Sequence, residues 1–236
     1  MKQCIIILAL FVSVHGLAQR NQESSVELIA GAGTTHFFGD IGGYSRGKNL
    51  LGFKDITRYN TGLNLNGAAR YRFNKAFSAR LNFSGGIFNV SDKIGSKTER
   101  GFEASTGFFE TFIAGEYFLL TNKIYNRAYG GKKIKNGYYP FWSYFDAYVY
   151  AGFGSLFFDV DPNKALILKR TGRDSQDFII PAGAGITRKL EGSSKIGIEF
   201  GGRYIFADLA DGYSFPGSSN DIYYFADIIW TWSVPR

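Results

Sequence analysis

Gly43-Tyr44-Ser45-Arg46-Gly47 has the G-x-S-x-G spacing of a serine-hydrolase elbow, and His36 and Asp40 lie shortly before it. Such an elbow works only on a strand, a sharp turn and a helix, with a histidine and an acid brought alongside. No helical pattern follows Ser45, so these residues read as a glycine-rich turn with Gly39, Asp40, Gly42 and Gly43 at its bend. A single histidine beyond the leader cannot assemble the usual zinc ligand sets. Hard cations want several oxygens from one side, which leaves Asp40 with Asp208 and Asp211 as an alternative calcium cluster. Gly31-Ala32-Gly33 and Gly183-Ala184-Gly185 lie inside strand patterns with no helix after them, so they allow close strand packing instead of cradling phosphate. Gly130-Gly131-Lys132-Lys133 lacks the remaining residues of a phosphate loop. The sequence therefore assigns no catalytic residue, no cofactor and no metal, and the chain is not read as an enzyme.

The other charged residues fall on alternating positions. Glu27, Glu110, Glu116, Asp146, Glu199 and Asp227 share their parity with Arg70, Arg72, Arg80 and Arg203, always opposite the apolar positions of the same segment. That pattern predicts an interior of carboxylates and guanidiniums, which must pair because a lone ion out of water is costly.

The elements that position these residues are strands. In 63–73 the odd positions Leu63, Leu65, Gly67, Ala69, Tyr71 and Phe73 alternate with Asn64, Asn66, Ala68, Arg70 and Arg72, a period of two. Segment 77–87 repeats it after Asn74-Lys75-Ala76, so the two form a hairpin. Segments 26–38, 109–117, 142–157, 176–189, 196–204 and 222–234 bring the total to eight. Most exceed the roughly five or six residues of an ordinary strand and suit the nine to eleven that cross a bilayer at a tilt.

Residues 1–18 carry Lys2, an apolar run and small residues before Gln19, the pattern of a cleaved signal peptide, and the only cysteine, Cys4, leaves with it. Residues 19–236 then form one domain, an all-β, eight-stranded antiparallel transmembrane barrel of the outer membrane, closed so that no sheet edge meets lipid. The alternative is a soluble sandwich or lipocalin-like barrel with the same residues in its core. Tyr71, Phe73, Tyr117, Trp142, Trp230 and Trp232 are expected as one aromatic girdle, and Phe37, Phe38, Phe88, Phe157, Phe158 and Phe206 as the other. Eight strands enclose only enough room for side chains, which predicts a plugged lumen in place of a pore.

Short connections at 74–76 and 190–194 contrast with long ones at 41–59, 92–102, 159–175 and 208–221, which places the amino terminus in the periplasm and the glycine turn at the outer rim. One connection on the short side breaks the pattern. Residues 120–141 are long and carry Lys123, Arg127, Lys132, Lys133 and Lys135, either a solvated basic loop near anionic lipid or a surface for a periplasmic partner. The net charge of +7 is scattered over loops without a basic helix or RNA-binding signature, which excludes nucleic acid as a partner.

The "FFGDIGG" that ends the first strand, the "FETFIAGEYF" strand with Glu110 and Glu116, and "IEFGGRYIFADLADGYS" with Glu199, Arg203, Asp208 and Asp211 resemble the PorG-like outer-membrane barrels of Bacteroidota. The resemblance covers the chain after the leader. It implies a monomeric integral barrel, surrounded by outer-membrane lipid, that anchors periplasmic secretion-ring proteins of the type IX secretion and gliding machinery. The other function class is a stand-alone surface barrel binding an extracellular ligand through its outer loops, or a lipid-modifying enzyme at the rim around His36.

Overall fold

The computed structural model describes residues 25–42, 60–93, 98–121, 144–168, 175–190, 193–206, 210, 212–213 and 221–234. The leader 1–18, Gly43, Ser45, Trp142, Asp208, Asp211 and the basic cluster Lys123, Arg127, Lys132, Lys133 and Lys135 lie outside the described residues.

Alternation of outward apolar and inward polar residues forces extended backbone, and the described residues form eight strands in chain order. They are β1 (Ser25–Phe38), β2 (Thr61–Arg72), β3 (Phe77–Ser91), β4 (Glu103–Leu120), β5 (Phe145–Pro162), β6 (Gln176–Lys189), β7 (Ser194–Ile205) and β8 (Ile222–Ser233). Each strand pairs antiparallel with its sequence neighbours, and β1 also pairs with β8 from Glu27↔Ser233 to Phe38↔Ile222. The sheet is thereby a closed barrel with no unpaired edge strand.

Strand β6 has the bounds the sequence predicts, whereas β3, β4 and β5 run further at the long-loop end. The reason is visible in their outward residues. Ser105 pairs with Asp161 and Gly107 with Asp159, so the hydrogen-bonded ladder continues where the greasy face has stopped. Apolar periodicity marks the part of a strand that faces an apolar medium, not the full length of its pairing.

The β2–β3 turn shows how one side chain sets a connection. Asn74 Oδ1 accepts the backbone N–H groups of Ala76 and Phe77, each at 2.8 Å. Phe77 then starts β3 in register with β2, from Arg72↔Ser78 onward. Asn74→Ala leaves both donors to solvent, with an expected loss of about 1 kcal/mol, read from the midpoint of equilibrium urea unfolding in micelles.

Candidate functional site

The inward face of the barrel divides into two layers. At the short-turn end, β1, β2, β3, β4, β5 and β7 each present charged side chains to the same space. Arg70 places Nε 2.5 Å and Nη2 2.9 Å from the two carboxylate oxygens of Glu116, and its Nη1 donates to Glu27 at 3.1 Å. Arg80 grips Glu199 end-on through Nη1 and Nη2, at 2.7 and 3.0 Å, and the Tyr148 hydroxyl donates to that carboxylate at 2.6 Å. Glu116 also accepts from Ser78 and lies 3.4 Å from Arg80. The register explains the arrangement, since Glu27, Arg70 and Arg80 are successive cross-strand partners and Glu116 sits opposite Ser78.

Nearer the mouth, Arg72 lies 3.8 Å from Glu27 and 3.6 Å from Asp146, with its guanidinium over the Phe118 ring at 3.9 Å. Lys195 bridges the same two acids at 2.7 and 2.8 Å. Lys195 is absent from the charge set expected from sequence, because the apolar alternation of β7 starts only at Ile196. It is the inward residue one step earlier, and its parity with Glu199 and Arg203 carries the signal.

Higher in the barrel, Glu110 accepts from Arg203 Nε, from the Ser84 hydroxyl at 2.6 Å and from the Tyr223 hydroxyl at 2.5 Å. The Arg203 guanidinium lies 4.7 Å from the Phe112 ring centre and 4.8 Å from that of Phe225. Tyr148, Tyr150 and Tyr223 thus serve this interior through hydroxyl and ring together. The close strand packing expected at Gly183 and Gly185 takes the form of the Tyr150 and Tyr148 rings lying directly over them. Asp227 completes the set, held by Asn64 and Asn66.

The layer toward the long loops is apolar. Phe37, Phe88, Phe108, Phe158, Phe225, Leu156, Ile179 and Ile205 are buried together, and Phe88 stacks on Phe108 with ring centres 4.2 Å apart. Ile41, Phe102, Val160 and Leu166 of the one-turn helix α1 (Lys164–Ile167) join them. Three residues expected in the outer girdle are therefore misplaced by the sequence reading. Phe37, Phe88 and Phe158 have inward parity and form this core, while Phe38, Phe157 and Phe206 lie on the outer wall.

At the long-loop rim, Gly42 has φ +79°, which favours glycine, and its N–H donates to Asp92 Oδ1 at 2.7 Å. Asp92 also accepts from Phe102 N–H and takes a two-pronged contact from Arg100, whose Nη2 reaches the Asp40 carbonyl at 2.9 Å. The carboxylate that ties the Gly39–Gly42 bend to the β3–β4 connection is thus Asp92, which sequence reasoning passes over. Asp92→Ala removes several charge-assisted bonds at once, and limited proteolysis of the rim loops is expected to accelerate by at least about tenfold.

His36 faces the outer wall of β1, with Thr34 Oγ1 3.2 Å from Nε2 and Thr61 Oγ1 3.4 Å from Nδ1. Among the described residues no His, Cys, Asp or Glu groups gather as a metal-ligand set.

The outer wall is apolar all the way round. Leu65, Leu81, Ile113, Phe153, Ile180, Ile198 and Ile228 are exposed along its middle. Aromatic pairs flank them: Tyr71–Phe73, Phe77–Tyr117 and Trp230–Trp232 toward the short turns, and Phe38–Tyr224, Phe109–Phe157 and Tyr204–Phe206 toward the long loops. A continuous greasy belt of this extent, on a sheet without edges, is the form in which strands cross a bilayer. The chain is an integral outer-membrane β-barrel, with the charged layer at its short-turn end and the aromatic layer toward the long connections.

No known family profile and no curated protein matches the chain. Among solved structures it is similar to the outer membrane protein OprG from Pseudomonas aeruginosa, at 12% identity and a TM-score of 0.49, over 91% of this chain and 98% of that one. It is similar to a major outer membrane protein from Thermus thermophilus, at 13% identity and a TM-score of 0.46, over 90% of this chain and 100% of that one. It is also similar to Neisserial surface protein A, at 11% identity and a TM-score of 0.45, over 89% of this chain and 99% of that one. The eight-stranded closed barrel follows from the strand order of this chain itself.

Proposed function

We propose that the protein is a closed, non-conducting, monomeric barrel that anchors a periplasmic assembly in the outer membrane. The observation that carries this reading is the filled lumen. Ion pairs occupy its short-turn layer and aromatic side chains the layer toward the long connections, which supports a structural role over passage of solutes; the usual loop asymmetry of such barrels turns the short-turn end to the periplasm. Contact with other molecules then falls to the loops and the lipid wall. The resemblance of the Glu110–Glu116 strand and the Glu199–Arg203 strand to PorG-like barrels makes the assembly a secretion ring of the type IX secretion or gliding machinery, with the basic segment 120–141 as the docking element. No catalytic residue, cofactor or nucleic acid enters this role.

Two measurements test it. In planar bilayers the purified barrel is expected to give no stable conductance, and a wide open channel would overturn the closed lumen. Cross-linked affinity capture from native outer membranes is expected to recover periplasmic ring proteins, and to lose them when 120–141 is shortened. Recovery of lipid-associated neighbours alone would reject the anchoring role and favour a stand-alone barrel whose outer loops bind an extracellular ligand.

A further inference from the structure

Five of the six lumen carboxylates face a cation directly: Glu27, Glu110, Glu116, Asp146 and Glu199 each have at least one Arg or Lys nitrogen within 4 Å. Asp227 is the sixth. Among the described residues it has no ion-pair partner, and its side chain is held by the Asn64 amide at 3.0 Å and the Asn66 amide at 2.6 Å. A carboxylate out of bulk water without a counter-charge is strongly disfavoured, so something positive must meet it.

Two features choose between a proton and a metal cation. First, both oxygens of Asp227 accept an amide N–H, an arrangement suited to the anion. Second, Asn64 is 3% exposed and its Oδ1 is buried with no hydrogen-bond partner. With its nitrogen turned to the acid, the Asn64 amide holds its oxygen away from any proton that acid carries, and only turning the amide end for end would bring the two together. A cation beside both groups satisfies the oxygen and neutralises the charge. Glycine on β1 makes way for these side chains themselves: a Cβ at Gly33 would collide with Asp227 Oδ1, and one at Gly31 would come within 2.8 Å of both polar atoms of the Asn66 amide. Asn66 itself is only partly buried although it faces inward, which leaves room beside the carboxylate. The Gly31-Ala32-Gly33 segment thus lets the Asp227 and Asn66 side chains lie close against β1. One carboxylate among otherwise paired charges fits a monovalent ion better than a divalent one, which would carry a charge too many.

We propose that Asp227 and Asn64, with Asn66 beside them, hold a monovalent alkali cation inside the barrel. The test is thermal unfolding of the full-length barrel in micelles at pH 8 and fixed ionic strength, in sodium, potassium or choline chloride. The expected midpoint is roughly 3–6 °C higher in sodium or potassium than in choline, and the difference saturates with concentration. Asp227→Asn abolishes the difference and is at least as stable as the parent in choline. Asn64→Ala keeps the acid but raises the half-saturating concentration by about tenfold. Equal midpoints in all three salts overturn the proposal. So does a pH-dependent midpoint that Asp227→Asn removes without any difference between salts, because a proton then neutralises the acid. Should the variants fail to fold, rubidium-soaked crystals of the parent decide the matter: an anomalous peak beside Asp227 supports the site, and none at saturating rubidium rejects it.

Discussion

Replacing Arg80 by methionine is expected to destabilise the barrel by about 3–5 kcal/mol, the range for removing one partner of a buried ion pair. The guanidinium is the only cation in contact with Glu199 among the described residues, and both side chains are buried. After Arg80→Met, Glu199 keeps one donor, the Tyr148 hydroxyl, and a negative charge that water cannot reach. Glu116, the second acid beside Arg80, retains its fork with Arg70 and its bond from Ser78, so the damage concentrates at Glu199. The compensating change follows from the same geometry. Arg80→Met with Glu199→Gln removes the stranded charge and keeps an acceptor for Tyr148, and the double variant is expected to recover most of the loss. Equilibrium urea unfolding in micelles gives both numbers. A single variant as stable as the parent, or a double variant no better than the single, would rule out Coulombic pairing as what holds this layer. Salt should hardly change the result, since buried pairs are poorly screened.

How far this interior can be read from the sequence depends on what carries the signal. Parity alone puts Glu27, Arg70, Arg80, Glu110, Glu116, Glu199 and Arg203 on one face, because a strand has a period of two and the opposite face is greasy. Parity does not say which acid meets which base. Arg80 reaches Glu199 across the lumen, between β3 and β7, and only the curvature of the closed sheet brings those strands together. The aromatic residues mislead for a related reason. Phe37 and Phe38 are the same residue type one position apart, so composition suggests a girdle for both, while the pleat sends Phe37 into the core and Phe38 to the wall. Polar residues beyond the greasy zone, such as Glu103, Ser105, Asp159 and Asp161, hide the true ends of β4 and β5. Asp92 is invisible for another cause. Its partners Gly42, Arg100 and Phe102 lie on two different connections, and no local spacing links them.

Ile113→Arg separates the membrane reading from a soluble one more sharply than any deletion. Ile113 is 65% exposed on the outer wall, between Leu81 of β3 and Phe153 of β5, and midway along β4 between the outward aromatics Phe109 and Tyr117. On a water-soluble barrel an isoleucine so exposed could become arginine within about 0.5 kcal/mol either way. In a bilayer the same guanidinium stands at mid-depth, where the expected cost is about 2–4 kcal/mol, falling to about 0–1 near the interface. Gly107 supplies the control on the same strand and the same face. It pairs with Ile87 and Asp159 above the Phe109–Phe157 pair, and a Cβ there meets nothing within 4 Å, so Gly107→Arg should stay in the interfacial range. Unfolding from liposomes measures both variants against the parent. Equal, small effects would mean that the belt does not face hydrocarbon, whereas a large loss at Ile113 with little change at Gly107 locates the lipid along β4: the apolar medium covers Ile113 and ends before Gly107, which is where the ladder of β4 and β5 continues with polar residues facing outward.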